Sequence, residues 1–165
     1  MAPYKFPFDR YNRFQVLRVT LPVVLAVLFL TRHLLTFLVI GIAFSRMPPD
    51  SRGAFGGLFE PVFMLADIPA LLVFLAMLAR HPKSGKLARA VWRAGPWLLL
   101  LSAALYLGLL LRQPMESGMP RHWTYWAMIA GTALAVGYVF LSPYARALFR
   151  EFPDARLAAD NDRKP

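Results

Sequence analysis

Four apolar stretches, each close to the length that crosses a hydrocarbon core about 30 Å thick, follow one another with only short polar connectors between them. A water-soluble fold of 165 residues would have to hide all four at once. Composition argues against that: 58% of the residues are hydrophobic and 17% charged, against about 45–50% and 25% in soluble domains. The expected fold is therefore all-α, a single polytopic transmembrane domain over residues 1–165 with four membrane helices.

The punctuation of the chain sets their limits. The first span is expected over about 19–44, with Pro22 in its opening turn and Ser45-Arg46-Met47-Pro48-Pro49 at its exit. The loop SRMPPDSRGAFGG then leads to a second span over about 58–80. It starts with Glu60-Pro61 in the first turn, and Pro69 is expected to kink it beside Asp67. HPKSGKLARAVWR reads as a basic connector, the third span as 94–111 with Arg112-Gln113-Pro114 ending it, and the fourth as 122–141 closed by Ser142-Pro143. The segment 144–165 is expected to leave the membrane as a charged tail ending in a disordered AADNDRKP. The first apolar run is too long for a signal-peptide core and reads as a retained helix.

Charge supplies the orientation. Of the 19 Lys and Arg residues, 14 fall before the first span, between the second and third, or after the fourth. Arg46, Arg52, Arg112 and Arg121 lie in the other two loops, and Arg32 lies within the first span. Under the positive-inside rule both termini face the cytoplasm, as in a protein of a bacterial-type inner membrane. This alternation also accounts for the net charge of +10 without nucleic acid, since no segment interleaves basic residues with stacking aromatics. Trp92, Trp97, Trp123, Tyr125, Trp126 and Tyr144 fall near span ends and read as an interfacial belt.

Inside the spans the ionisable residues are few. Arg32 and His33 lie midway along the first, where a charge costs at least about 2.5–3.5 kcal/mol unless it faces protein or water. Asp67 in the second lies at a depth differing by roughly 4–5 Å at the helical rise, so an Arg32–Asp67 ion pair is expected, with His33 or Thr36 as an added hydrogen-bonding group. The bland reading is a pair that locks two helices; the alternatives are a substrate or proton path and a docking point. Paired haem histidines are not found, because His33, His81 and His122 fall at different depths. The chain has no cysteine, which removes thiolate chemistry and Cys-ligated metals. No phosphate loop, HExxH or GxSxG occurs. No cofactor, metal or catalytic residue is assigned. Ala104 and Gly108, and Ala127, Gly131 and Ala135, have the spacing of close helix-packing faces.

Tyr11 in a polar leader, Arg32, Ser45-Arg46, the LFEP of Leu58–Pro61 and Ile68-Pro69 are together similar to the YfeZ-like family of uncharacterised proteobacterial inner-membrane proteins. The resemblance covers the first half of the chain. It implies a four-helix inner-membrane protein and no activity. The expected role is non-catalytic: an accessory or assembly subunit in the lipid bilayer, packing against other membrane-protein subunits. The alternative is a small transporter or channel using the Arg-Asp pair.

Overall fold

The computed structural model describes residues 6–12, 16–44, 61–82, 84–117 and 123–153. After a 3-10 turn at Phe8–Arg10 come α1 (Leu21–Leu30), α2 (Arg32–Phe44), α3 (Pro61–Leu78), α4 (Lys86–Ser117), α5 (Trp123–Leu141) and α6 (Pro143–Arg150). Among the described residues there is no strand, only an isolated bridge between Tyr11 and Leu17. Two helices, Lys86–Arg112 of α4 and the whole of α5, are long and apolar enough to cross a membrane. Leu21–Leu30 with Arg32–Ala43 makes a third if the bent pair counts as one span, and Val62–Leu78 is a shorter apolar helix. The chain thus has the helices of a membrane protein.

The first and third expected spans are altered in detail. The first is not continuous over 19–44: it breaks at Thr31 with a 73° bend. α3 runs as one helix through Pro69. The start of the second span at 58–60, with the loop before it and His122, lies outside the described residues. The third helix is longer than 94–111 at both ends. Its first turns take in KLARAVWR, a run of good helix formers that buries Trp92, and it continues past Pro114, which deletes a single backbone donor.

The tail begins with structure. Ser142 ends α5 and caps α6, its Oγ accepting from Ala145 N at 3.3 Å, with Pro143 at the first helical position. Tyr144, Ala145, Leu148 and Phe149 are buried along one face of α6 while Arg146 and Arg150 stay exposed. Residues 154–165, including AADNDRKP, lie outside the described residues.

α3 and α4 form the most extensive pair, α1 lies against α5 and α3, and α6 folds onto α4 and α5. The main core joins Leu17, Val23, Val27, Ala70, Val73, Trp92, Leu99, Leu148 and Phe149. A smaller cluster of Ala66, Tyr106 and Leu110 lies further along α3 and α4. Bulk is therefore concentrated at one end. There the segment before α1, the end of α3, the start of α4 and the helix after α5 meet.

Candidate functional site

A broken helix has a new N-terminus, and in an apolar bundle its first N–H groups have no water to turn to. At the elbow Thr31 leaves helical geometry (φ −104°, ψ 11°). Its hydroxyl donates back to Val27 O at 2.9 Å, the sort of back-bonding that bends helices. Asp67 of α3 then caps α2 from outside. Its Oδ2 accepts His33 N at 2.8 Å and Leu34 N at 3.1 Å, and its Oδ1 lies 3.1 Å from His33 Nδ1. The carboxylate is 1% exposed, and the dipole of α2 favours its negative charge.

Arg32 does not pair with Asp67. Its Nη1 donates to Phe29 O at 2.7 Å, a carbonyl that the break has released from the helix ladder. The guanidinium lies between two rings, 4.3 Å from the centroid of Phe29 and 4.1 Å from that of Tyr106. Its Nη2 is buried without a hydrogen bond. His33 takes the carboxylate, and its ring lies 5.4 Å from Phe63 and 5.3 Å from Tyr106. The reason is geometric. The carboxylate is held by the two backbone N–H groups at the start of α2, so the group delivered with them is the imidazole of residue 33, while the stem of residue 32 leaves toward Phe29.

A second polar assembly closes the packed end. Arg80 donates from Nη1 to Leu17 O at 2.7 Å and from Nη2 to Glu151 O at 3.1 Å, while Glu151 Oε2 accepts Leu17 N at 2.9 Å. The indole N–H of Trp92 donates to Leu148 O at 3.0 Å, and Tyr144 donates to Arg18 O at 2.6 Å. Burial lowers Arg80 to about 10, an effect that Glu151 and then Tyr144 partly offset, so it stays charged at neutral pH. Burial likewise raises the Tyr144 phenol, with Arg10 and Arg80 opposing. These contacts tie the entering segment, the α3–α4 connector and α6 together.

The model of a family described as "Protein of unknown function (DUF2919)" matches residues 6–151. The chain belongs to this family. The matched region of the DUF2919 chain takes in both the elbow and the clasp around Arg80, and it ends at Glu151, the last residue of that clasp. No curated protein and no solved structure shows a significant match.

Of the small residues singled out in the sequence of this DUF2919 member, the structure brings two into the bundle. A Cβ on Gly131 would come within 2.7 Å of Phe29 Cζ, and Ala135 is 9% exposed. Ala104, Gly108 and Ala127 face outward, and nothing lies within 4 Å of a Cβ built on Gly108. The belt residues divide similarly: Trp97, Trp123 and Trp126 are exposed, whereas Trp92 and Tyr144 belong to the core. Sequence reasoning missed Tyr106, Phe63 and Phe29 because an aromatic among apolar residues carries no mark of what it stacks on. It also missed Glu151 and the clasp. The spacing of Tyr144, Ala145, Leu148 and Phe149 opposite Arg146 and Arg150 was the available signal for α6.

Proposed function

We propose that this DUF2919 member is a four-span protein of a bacterial inner membrane, with both termini in the cytoplasm, serving as a non-catalytic accessory or assembly subunit of a larger membrane complex. The four-span reading is supported by the clasp, since an up-down-up-down bundle returns the chain to the same end before its first helix, between its second and third, and after its fourth. Fourteen Lys and Arg residues lie in those three segments, which supports the cytoplasmic placement. The YfeZ-like pattern in the first half of the chain supports the inner membrane.

The observation that carries the accessory role is an open apolar recess between α3 and α4, lined by Val62, Leu65, Ala66, Ala104, Leu105, Gly108 and Leu109. Small residues there let a foreign helix approach closely. The ionisable groups nearby are, by contrast, taken up with holding the elbow. Extraction in a mild detergent, with sizing and mass spectrometry of what stays bound, tests the role: a stoichiometric larger partner, lost on Gly108→Leu while the protein itself stays folded, is expected. A lone monomer would overturn it.

A small transporter or channel is the second reading, favoured by the carboxylate–imidazole contact of Asp67 with His33 inside an apolar region. It requires substrate or proton flux in proteoliposomes that Asp67→Asn abolishes.

A further inference from the structure

The junction of α5 and α6 carries two cations with nothing to hold. Arg146 and Arg150 are four residues apart, so they share a face of α6. Both are exposed, and among the described residues neither guanidinium makes a hydrogen bond or an ion pair. They line an open recess of about 320 Å³ with Pro143, Ala147 and Glu151. Glu151 forms no ion pair with either: its Oε2 accepts Leu17 N at 2.9 Å, and its charge acts on the neighbouring Arg80. The site follows directly on an apolar helix: α5 ends at Leu141, and Ser142-Pro143 starts α6. α5 itself carries an exposed apolar face. Leu134 and Leu141 are 74% and 80% exposed, and Gly137, on the same face between them, leaves a shallow slot with nothing within 4 Å of its absent Cβ.

We propose that Arg146 and Arg150 hold the phosphate of an anionic phospholipid at the α5–α6 junction, with an acyl chain lying along Leu134, Gly137 and Leu141. A planar guanidinium grips phosphate oxygens in pairs, and two of them at one helical spacing can share a single headgroup. Basic recesses beside membrane helices on the cytoplasmic side suit anionic headgroups, and each basic residue near the surface adds to the attraction. The shared chemistry is a phosphate; the apolar face selects a lipid over the free ion. The proposal rests on α5 crossing the membrane and is independent of the accessory-subunit role.

The test is native mass spectrometry of the full chain in detergent, titrated with phosphatidylglycerol, phosphatidylcholine or inorganic phosphate. The wild type is expected to retain phosphatidylglycerol over phosphatidylcholine. The R146Q/R150Q variant should lose about ten- to thirtyfold in phosphatidylglycerol affinity, given the attraction expected of two basic residues, while the charge-matched K86Q/R93Q variant keeps it. R146K/R150K, which preserves charge but not the paired geometry, should fall between. Equal retention by R146Q/R150Q and wild type overturns the site. Displacement of the lipid by inorganic phosphate alone overturns the lipid as its ligand. Carbonate-resistant membrane association, measured on the same variants, separates these results from the spanning reading: extraction by carbonate would overturn the span itself.

Discussion

Asp67 is the residue on which the elbow depends. Its carboxylate accepts two backbone N–H groups and meets the His33 ring, and a buried N–H with no acceptor costs on the order of 1–3 kcal/mol. Asp67→Ala is therefore expected to destabilise the bundle by about 3 kcal/mol, and Asp67→Asn, which keeps one oxygen, by about half of that. Thermal unfolding in detergent followed by circular dichroism reads both; equal stability of Asp67→Ala and wild type would show that α2 does not need an outside cap. Arg32 depends instead on ring faces. Tyr106→Phe keeps the face beneath the guanidinium and should be close to neutral, whereas Tyr106→Leu removes it and should cost about 1–2 kcal/mol by the same assay.

Between elements, the contacts that matter are close approaches at glycine. A Cβ on Gly95 of α4 would come within 2.6 Å of the Phe149 ring, which is 1% exposed and lies tilted against Trp92 with 4.7 Å between ring centroids. That ring has nowhere to go. Gly95→Ala should thus cost about 1–3 kcal/mol through overpacking, while Gly137→Ala, facing open space in α5, should gain about 0.5–1 kcal/mol from helix propensity. Unfolding midpoints that move the same way would contradict the α4–α6 packing. The clasp between α6 and the entering segment has its own pH signature. Burial raises the Tyr144 phenol above its ordinary 10.0, so folding favours the neutral form. That contribution is fully present below about pH 10 and is lost as pH rises through the raised value. Arg80 has the opposite sign, because its lowered value makes loss of its proton easier in the folded state and its contribution grows above about 10. Comparing wild type with Tyr144→Phe between pH 8 and 11 isolates the phenol: the variant should lack the extra alkaline loss of stability.

At the scale of the whole molecule, the absence of cysteine makes topology directly measurable. Single cysteines report which side of the membrane a site faces without background. Ser84→Cys, in the connector between α3 and α4, is expected to react with an impermeant maleimide only when the cytoplasmic face is open. Ser51→Cys should react from the opposite side. Labelling of both from one side would show that α3, which lies between them, does not cross, and would remove the four-span arrangement. The distribution of packing bears on the same question. The large core lies at the clasped end, while Phe37, Leu38, Val39 and Ile42 of α2 are all exposed. Apolar exposure of that kind suits a hydrocarbon solvent, in which surface and core need not differ in polarity.

The sequence by itself determined that the chain is helical and apolar enough for a membrane, and it displayed the charge alternation. Each follows from a property summed along the chain: the free energy of moving an apolar run into lipid, the breaking of helices at Pro- and Gly-rich segments, and the bias of Lys and Arg between loops. It also marked Arg32, His33 and Asp67 as the intramembrane groups in need of partners. Their pairing was decided only by the tertiary structure, because partner choice depends on direction as well as depth. Depths within roughly 4–5 Å of each other suggested Arg32 for Asp67, but the break at Thr31 exposes backbone N–H groups that a carboxylate satisfies, and the guanidinium turns to Phe29 and Tyr106 instead. Nor could a one-dimensional reading find the bend, since its cause is an acceptor 34 residues away that makes a second helix start affordable. For the same reason Trp92 reads as an interfacial anchor until α6 is seen folded over it, and Tyr144 until α6 is seen to carry it into the core: an aromatic at the end of a span has the same sequence context whether it meets headgroups or another helix.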